Sequence, residues 1–181
     1  MQDFFSTDAG QRASMAKQYL EGALTLDAAQ RVKGQILFLP TLALAGHGLE
    51  LMLKACLFLN GKSPAEVKKY GHIIAKMCAL DICEPIRGHV FANASWVAAE
   101  ECANGAYPDS IKEAEVLPLI KEYVIALGKL HGEGDFPLRY PVDPNLEAPR
   151  TPFLVKSLWG AADDLVKRPS DFRLSNFLGK A

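Results

Sequence analysis

The chain has 181 residues, 49% of them hydrophobic and 23% charged, which suits one globular domain with a sizeable core and excludes a disordered chain. Its formal net charge is −1, so no overall pull towards nucleic acid or an anionic membrane is built in, and only a local basic patch stays open. The cysteines Cys56, Cys78, Cys83 and Cys102 form no Cys-x-x-Cys pair and sit in apolar sequence, so each is expected to be a buried, reduced thiol of a cytoplasmic protein.

Met1 to Phe5 shows no basic stretch followed by an apolar run, so no signal peptide is expected. A first helix is predicted over about 9–30, with Met15, Tyr19, Ala23 and Leu26 recurring at steps of three and four. Gly34 and Pro40 mark a break. A second helix follows over about 41–59 and stops at Asn60-Gly61. It is apolar enough to suggest a membrane span, but Pro40, His47, Glu50 and Lys54 interrupt the run, and a central core helix is expected instead.

Ser63-Pro64-Ala65-Glu66 is a capping box with proline at the first helical position. The short helix it opens should end near Tyr70-Gly71. Another helix is expected over 72–82 and one over 90–102, with 84–89 ambiguous because of Pro85 and Gly88. Ser110-Ile111-Lys112-Glu113 is a second capping box. The helix after it should reach about Leu130 and carry a kink, or a division in two, at Pro118. The stretch 132–152 holds five prolines and should be a loop. A last amphipathic helix is expected over 153–166, and residues 167–181 read as a C-terminal tail. Alternating runs with hairpin turns are missing. The expected fold is therefore all-α: one up-and-down helical bundle over 1–166, with a Pro-rich excursion before its last helix.

The second helix carries the candidate chemistry. His47, Glu50 and Lys54 lie within about 60° of each other on a 3.6-residue helix. All other positions from Leu49 to Leu59 are apolar. One reading is a solvated seam with a Glu50–Lys54 pair, worth about 0.2–0.5 kcal/mol. The other is a cleft wall in which Glu50 is a base or ligand and Lys54 contacts an anion. His72 is either structural or faces the stripe, beside Lys68-Lys69, where an anion is favoured. Arg139 and Tyr140 either bind a carboxylate or phosphate, or do structural duty, with Tyr140 packing on the bundle and Arg139 pairing with an acidic residue such as Glu50.

Metal binding is not expected. His47-x-x-Glu50 has a spacing that ligates on one helix face, but carboxylate-bridged bundles need a second Glu-x-x-His, which the sequence lacks. No cofactor is expected. Gly61-Lys62-Ser63 lacks the first glycine and preceding strand of a phosphate loop, and no serine or cysteine stands in a nucleophile motif.

Taken together, His47 to Ala55, Tyr70-Gly71-His72 and Leu138-Arg139-Tyr140-Pro141 resemble the HEPN superfamily, in a bacterial branch of uncharacterised proteins. The resemblance spans 37–141. It implies a helical bundle, commonly a homodimer, in a toxin–antitoxin, defence or RNA-processing setting, with a partner protein or a nucleotide or RNA ligand. Ribonuclease members carry Arg-x4–6-His. Here Arg87 is two residues before His89 and Arg31 is sixteen before His47, so that pair is missing. The resemblance thus implies a non-catalytic member. The alternative is a divergent, metal-independent ribonuclease or nucleotide-processing enzyme using His47, Glu50 and Lys54.

Overall fold

The computed structural model describes residues 3–103, 113–132, 138 and 148–178. These residues are helical with no strand among them, as the periodicity requires. The helices are α1 (Asp8–Lys33), α2 (Phe38–Leu59), α3 (Pro64–Lys68), α4 (Ile74–Cys78), α5 (Glu84–Ala103), α6 (Glu113–Gly132), α7 (Thr151–Lys167) and α8 (Leu174–Leu178). They form a helical bundle around α2.

Helix α2 is central because almost every side of it is apolar. Thirteen of its residues are buried, and it touches α1, α3, α4, α5, α6 and α7. It is long and apolar enough to cross a membrane, yet 67% of its most apolar window is buried inside the protein. That burial is what a core helix requires. It begins at Phe38, three residues earlier than the sequence suggests, because Pro40 falls in the first turn, where no intrahelical N–H is needed. It ends as expected. Asn60 caps it, Gly61 adopts φ +84°, and the Lys62 N–H donates to the Leu57 carbonyl, which closes the last turn.

Helix α1 lies antiparallel to α2, with Leu20 against Gly48 and Gly22 against Leu44. Its buried stripe differs from the expected one. Ala9, Ala13, Ala16, Leu20 and Ala23 face the core, whereas Met15 is exposed. Four alanines on that stripe let the two backbones come close. Helix α7 runs antiparallel to α1 through Lys17–Asp163 and Trp159–Glu21, and antiparallel to α5 through His89–Asp164.

Other expectations need correction. The helix expected over 72–82 is α4 followed by a 3-10 turn at Asp81–Cys83. Helix α5 starts at Glu84, with Pro85 tolerated in its first turn, which resolves the ambiguous stretch as helix. Pro118 lies inside α6 without dividing it in two. Helix α7 starts at Thr151 with Pro152 in its opening turn, so that proline belongs to the helix and not to the loop. The segment read as a tail folds back. Pro169–Phe172 forms a 3-10 turn, and the Phe172 side chain is fully buried.

The cysteines behave largely as the composition suggests. Cys56 and Cys83 are buried and Cys78 is half-buried, all as free thiols. Burial, reinforced by Cys83, pushes the Cys78 thiol up to about 12, so it stays protonated at neutral pH. The Cys102 side chain lies outside the described residues, as do Arg139, Tyr140 and the capping box at Ser110.

Candidate functional site

Glu50 sits at the middle of α2 with 2% of its surface exposed. A carboxylate this deep is costly unless its oxygens are paired and hydrogen-bonded. Three side chains from three elements meet that need, and a fourth stands just beyond hydrogen-bond reach. Lys54, one turn on, places Nζ 2.6 Å from Oε1. His131, in the last turn of α6, places Nε2 2.7 Å from Oε2. His72, just before α4, places Nδ1 3.1 Å from both oxygens. His47, one turn back, places Nδ1 4.0 Å from Oε2. An ionised carboxylate only accepts, so the near nitrogens of His72 and His131 donate their N–H to it.

Glycines make this convergence possible. Gly46 and Gly48 flank His47 on α2. A Cβ on Gly46 would stand 2.7 Å from His131 Nδ1, and one on Gly132 would stand 2.2 Å from the His72 carbonyl oxygen. Each missing methyl lets a histidine-bearing segment reach Glu50. Gly71 adopts φ +57°, a left-handed conformation that turns the chain from α3 back so that His72 faces α2. Tyr19 on α1 meets the His47 ring edge-on at 4.4 Å between centroids.

The electrostatics follow from this packing. Burial alone would push the Glu50 carboxyl up, but hydrogen bonds from His131, Lys54 and His72 outweigh it and hold the group down at about 2. Glu50 is therefore ionised at neutral pH. Burial pushes the His47 pKa below its ordinary value, Glu50 pulls it partly back, and His131, His72 and Lys54 add to the lowering. A neutral His47 keeps a lone pair free at one ring nitrogen. The site is not sealed: His72 is 50% exposed and His47 33%.

Of the residues singled out from sequence, His47, Glu50, Lys54 and His72 come together. The stripe is not a solvated seam, because its carboxylate is buried under two further helical segments. Sequence reasoning missed His131. The signal was there in register: Ile120, Val124, Leu127 and His131 continue one stripe of α6, so a histidine occupies a core-facing position. A separate cleft of about 500 Å³ opens between the start of α1, the end of α2 and the C-terminal segment, near Phe4, Phe58 and Arg173. It shares no residue with the Glu50 cluster. No family model, curated protein or solved structure matches the chain, so the geometry alone speaks for this site.

Proposed function

We propose that the chain is a HEPN-like helical module of the cytoplasm that self-associates and binds a partner protein or a nucleotide-bearing ligand, in a defence, toxin–antitoxin or RNA-related setting. The observation that carries the reading is the surplus of basic groups around one carboxylate. Lys54 alone neutralises Glu50, yet His47, His72 and His131 also converge there. The exposed edges of His47 and His72 present ring nitrogens at the surface to an incoming phosphate, a strong acceptor. Self-association is supported by the corner between α1 and α2, where Val32, Ile36 and Leu39 are exposed as a small apolar patch.

The test has two arms. Titration with labelled single-stranded RNA and nucleoside phosphates should show binding that His72→Ala weakens about tenfold, the size of one lost charged hydrogen bond. No binding at millimolar ligand removes that half of the proposal. Light scattering should show a dimer that Ile36→Glu dissociates, and a monomer at all concentrations removes the other half.

A second reading rests on one observation. Neutral His47, a third exposed and 4.0 Å from the Glu50 carboxylate that would steady its imidazolium once it has taken a proton, is a general base placed for metal-independent ribonuclease chemistry. Cleavage of single-stranded RNA that persists in chelator and disappears in His47→Gln would favour it over the binding module.

A further inference from the structure

The cluster has a property that neither reading uses. His47, Glu50 and His131 converge, and one ligand atom from each residue lies within 4.8 Å of the others. We propose that His47, Glu50 and His131 form a site for a divalent transition metal, of which Zn²⁺ is the best match, held by two imidazoles and one carboxylate oxygen.

First, the donor set is right. Two histidines and a glutamate are a recurrent zinc set in which a fourth position stays open for water or a substrate atom. Second, the spacing is right. Metal–ligand bonds of about 2.0–2.1 Å around a tetrahedral ion put the ligand atoms roughly 3.3 Å apart. The observed Oε2 separations of 2.7 Å to His131 and 4.0 Å to His47 lie either side of that value. Rotation of the two rings and a small shift of the carboxylate suffice, and the proton that His131 Nε2 shares with Oε2 in the metal-free site is released, or moves to Nδ1, as the ion takes its place. Third, the surroundings orient the ligands. Lys54 holds Oε1 at 2.6 Å, which leaves Oε2 as the single ligating oxygen. Tyr19 packs on the His47 ring and Gly46 on the His131 ring, so both imidazoles are held at the cluster and need only turn about their own bonds to meet an ion. The exposed edge of His47 marks the way in and the side on which the fourth ligand would sit.

The bland account is that Glu50 is a structural carboxylate satisfied by Lys54, His72 and His131. It explains those three contacts. It gives no role to His47, which is the one member too far from Glu50 to hydrogen-bond and yet the one that completes a three-ligand face. The absence of a second Glu-x-x-His motif excludes a two-metal bundle but not this mononuclear set, whose third ligand comes from a distant helix.

The inference rests on the Glu50 cluster being a functional site, and not on the nucleotide ligand. The experiment uses the full chain stripped with chelator and dialysed. Zn²⁺ is titrated against a chromogenic chelator, and Co²⁺ is added separately to read coordination by its visible absorption. The wild-type chain should bind a single Zn²⁺ and give Co²⁺ bands of tetrahedral intensity. His47→Gln should weaken Zn²⁺ by about tenfold or more and remove those bands. His47 is a third exposed, so this variant should keep its helical circular dichroism, which is recorded alongside. His89→Gln, outside the cluster, should bind like the wild type. Equal binding by wild type and His47→Gln, or no Co²⁺ bands in the wild type, overturns the site. Zn²⁺ bound without any nucleotide affinity keeps the site and removes only the ligand half of the proposed function. Nucleotide binding without Zn²⁺ does the reverse.

Discussion

Two buried or half-buried carboxylates, Glu50 and Asp164, are handled in the same way by different means. Each is pushed up by burial and pulled down further by hydrogen bonds, in Asp164 from His89, Asn93 and Arg168. Asp164 shares no hydrogen bond or ion pair with the proposed metal ligands, so its titration reads folding. Its folded pKa is depressed below the unfolded value of about 3.9. The stabilisation is therefore fully present above that value and is lost as pH falls through it towards the folded one. Asp164→Asn should cost roughly 1–3 kcal/mol at pH 7 in urea denaturation. The gap from the wild type should narrow as pH falls below about 4. A gap that stays constant over that range would show that the carboxylate charge plays no part. At this scale the sequence was informative about residue types and silent about partners. His47, Glu50 and Lys54 are legible as a stripe because one helix sets their spacing. That Glu50 is buried is not, since it depends on where Gly132 and Gly71 let His131 and His72 arrive.

Helix boundaries and faces show the same division. The capping box at Ser63 is legible and correct, with the Ser63 hydroxyl accepting from the Glu66 N–H and Glu66 accepting back from Ser63. The stop at Asn60-Gly61 is equally local. The face of α1 is not, because alanine carries little weight in an apolar periodicity, and its role is to permit close approach. This gives a prediction for α2. A Cβ on Gly48 would lie 2.6 Å from Leu20 Cγ, and Leu20 is fully buried with nowhere to swing. Replacing a mid-helix glycine by alanine ordinarily gains up to about 1 kcal/mol. Gly48→Ala should instead lose roughly 1–3 kcal/mol, because overpacking against a fixed core residue outweighs propensity. Thermal unfolding followed by circular dichroism decides the sign. A raised midpoint would mean that α1 and α2 are not held as close as Leu20 and Gly48 indicate.

The whole molecule is closed by a segment that sequence reasoning set outside the domain. Its composition offers no long periodic run, only Phe172, Leu174, Phe177 and Leu178 scattered among polar residues after Pro169, so nothing local marks it as core. Its attachment is long-range. Phe172 stacks on His89 of α5 at 4.2 Å between centroids. Asn60, at the end of α2, donates to the Phe172 carbonyl at 3.0 Å and accepts from the Leu174 N–H at 2.9 Å. One asparagine thus satisfies two backbone groups of the segment while also donating to its own helix at the Cys56 carbonyl. The segment therefore ties α2 to α5 at the end of the bundle away from the α1–α2 corner. Phe172→Ala should cost roughly 3–5 kcal/mol, as for other large aromatic side chains removed from a core. Removing residues 168–181 should cost at least as much. If the segment were a dispensable tail, both variants would melt with the wild type. Because Cys56 lies on the same helix as Glu50, nearly two turns beyond it, and Asn60 caps that helix, the truncated chain has a second readout. Loss of the segment should loosen the end of α2 and increase amide exchange there first, before the glycine-packed middle around Gly46 and Gly48. Uniform loss of protection along α2 would place the segment within the core's cooperative unit and not as a clasp on one end of it.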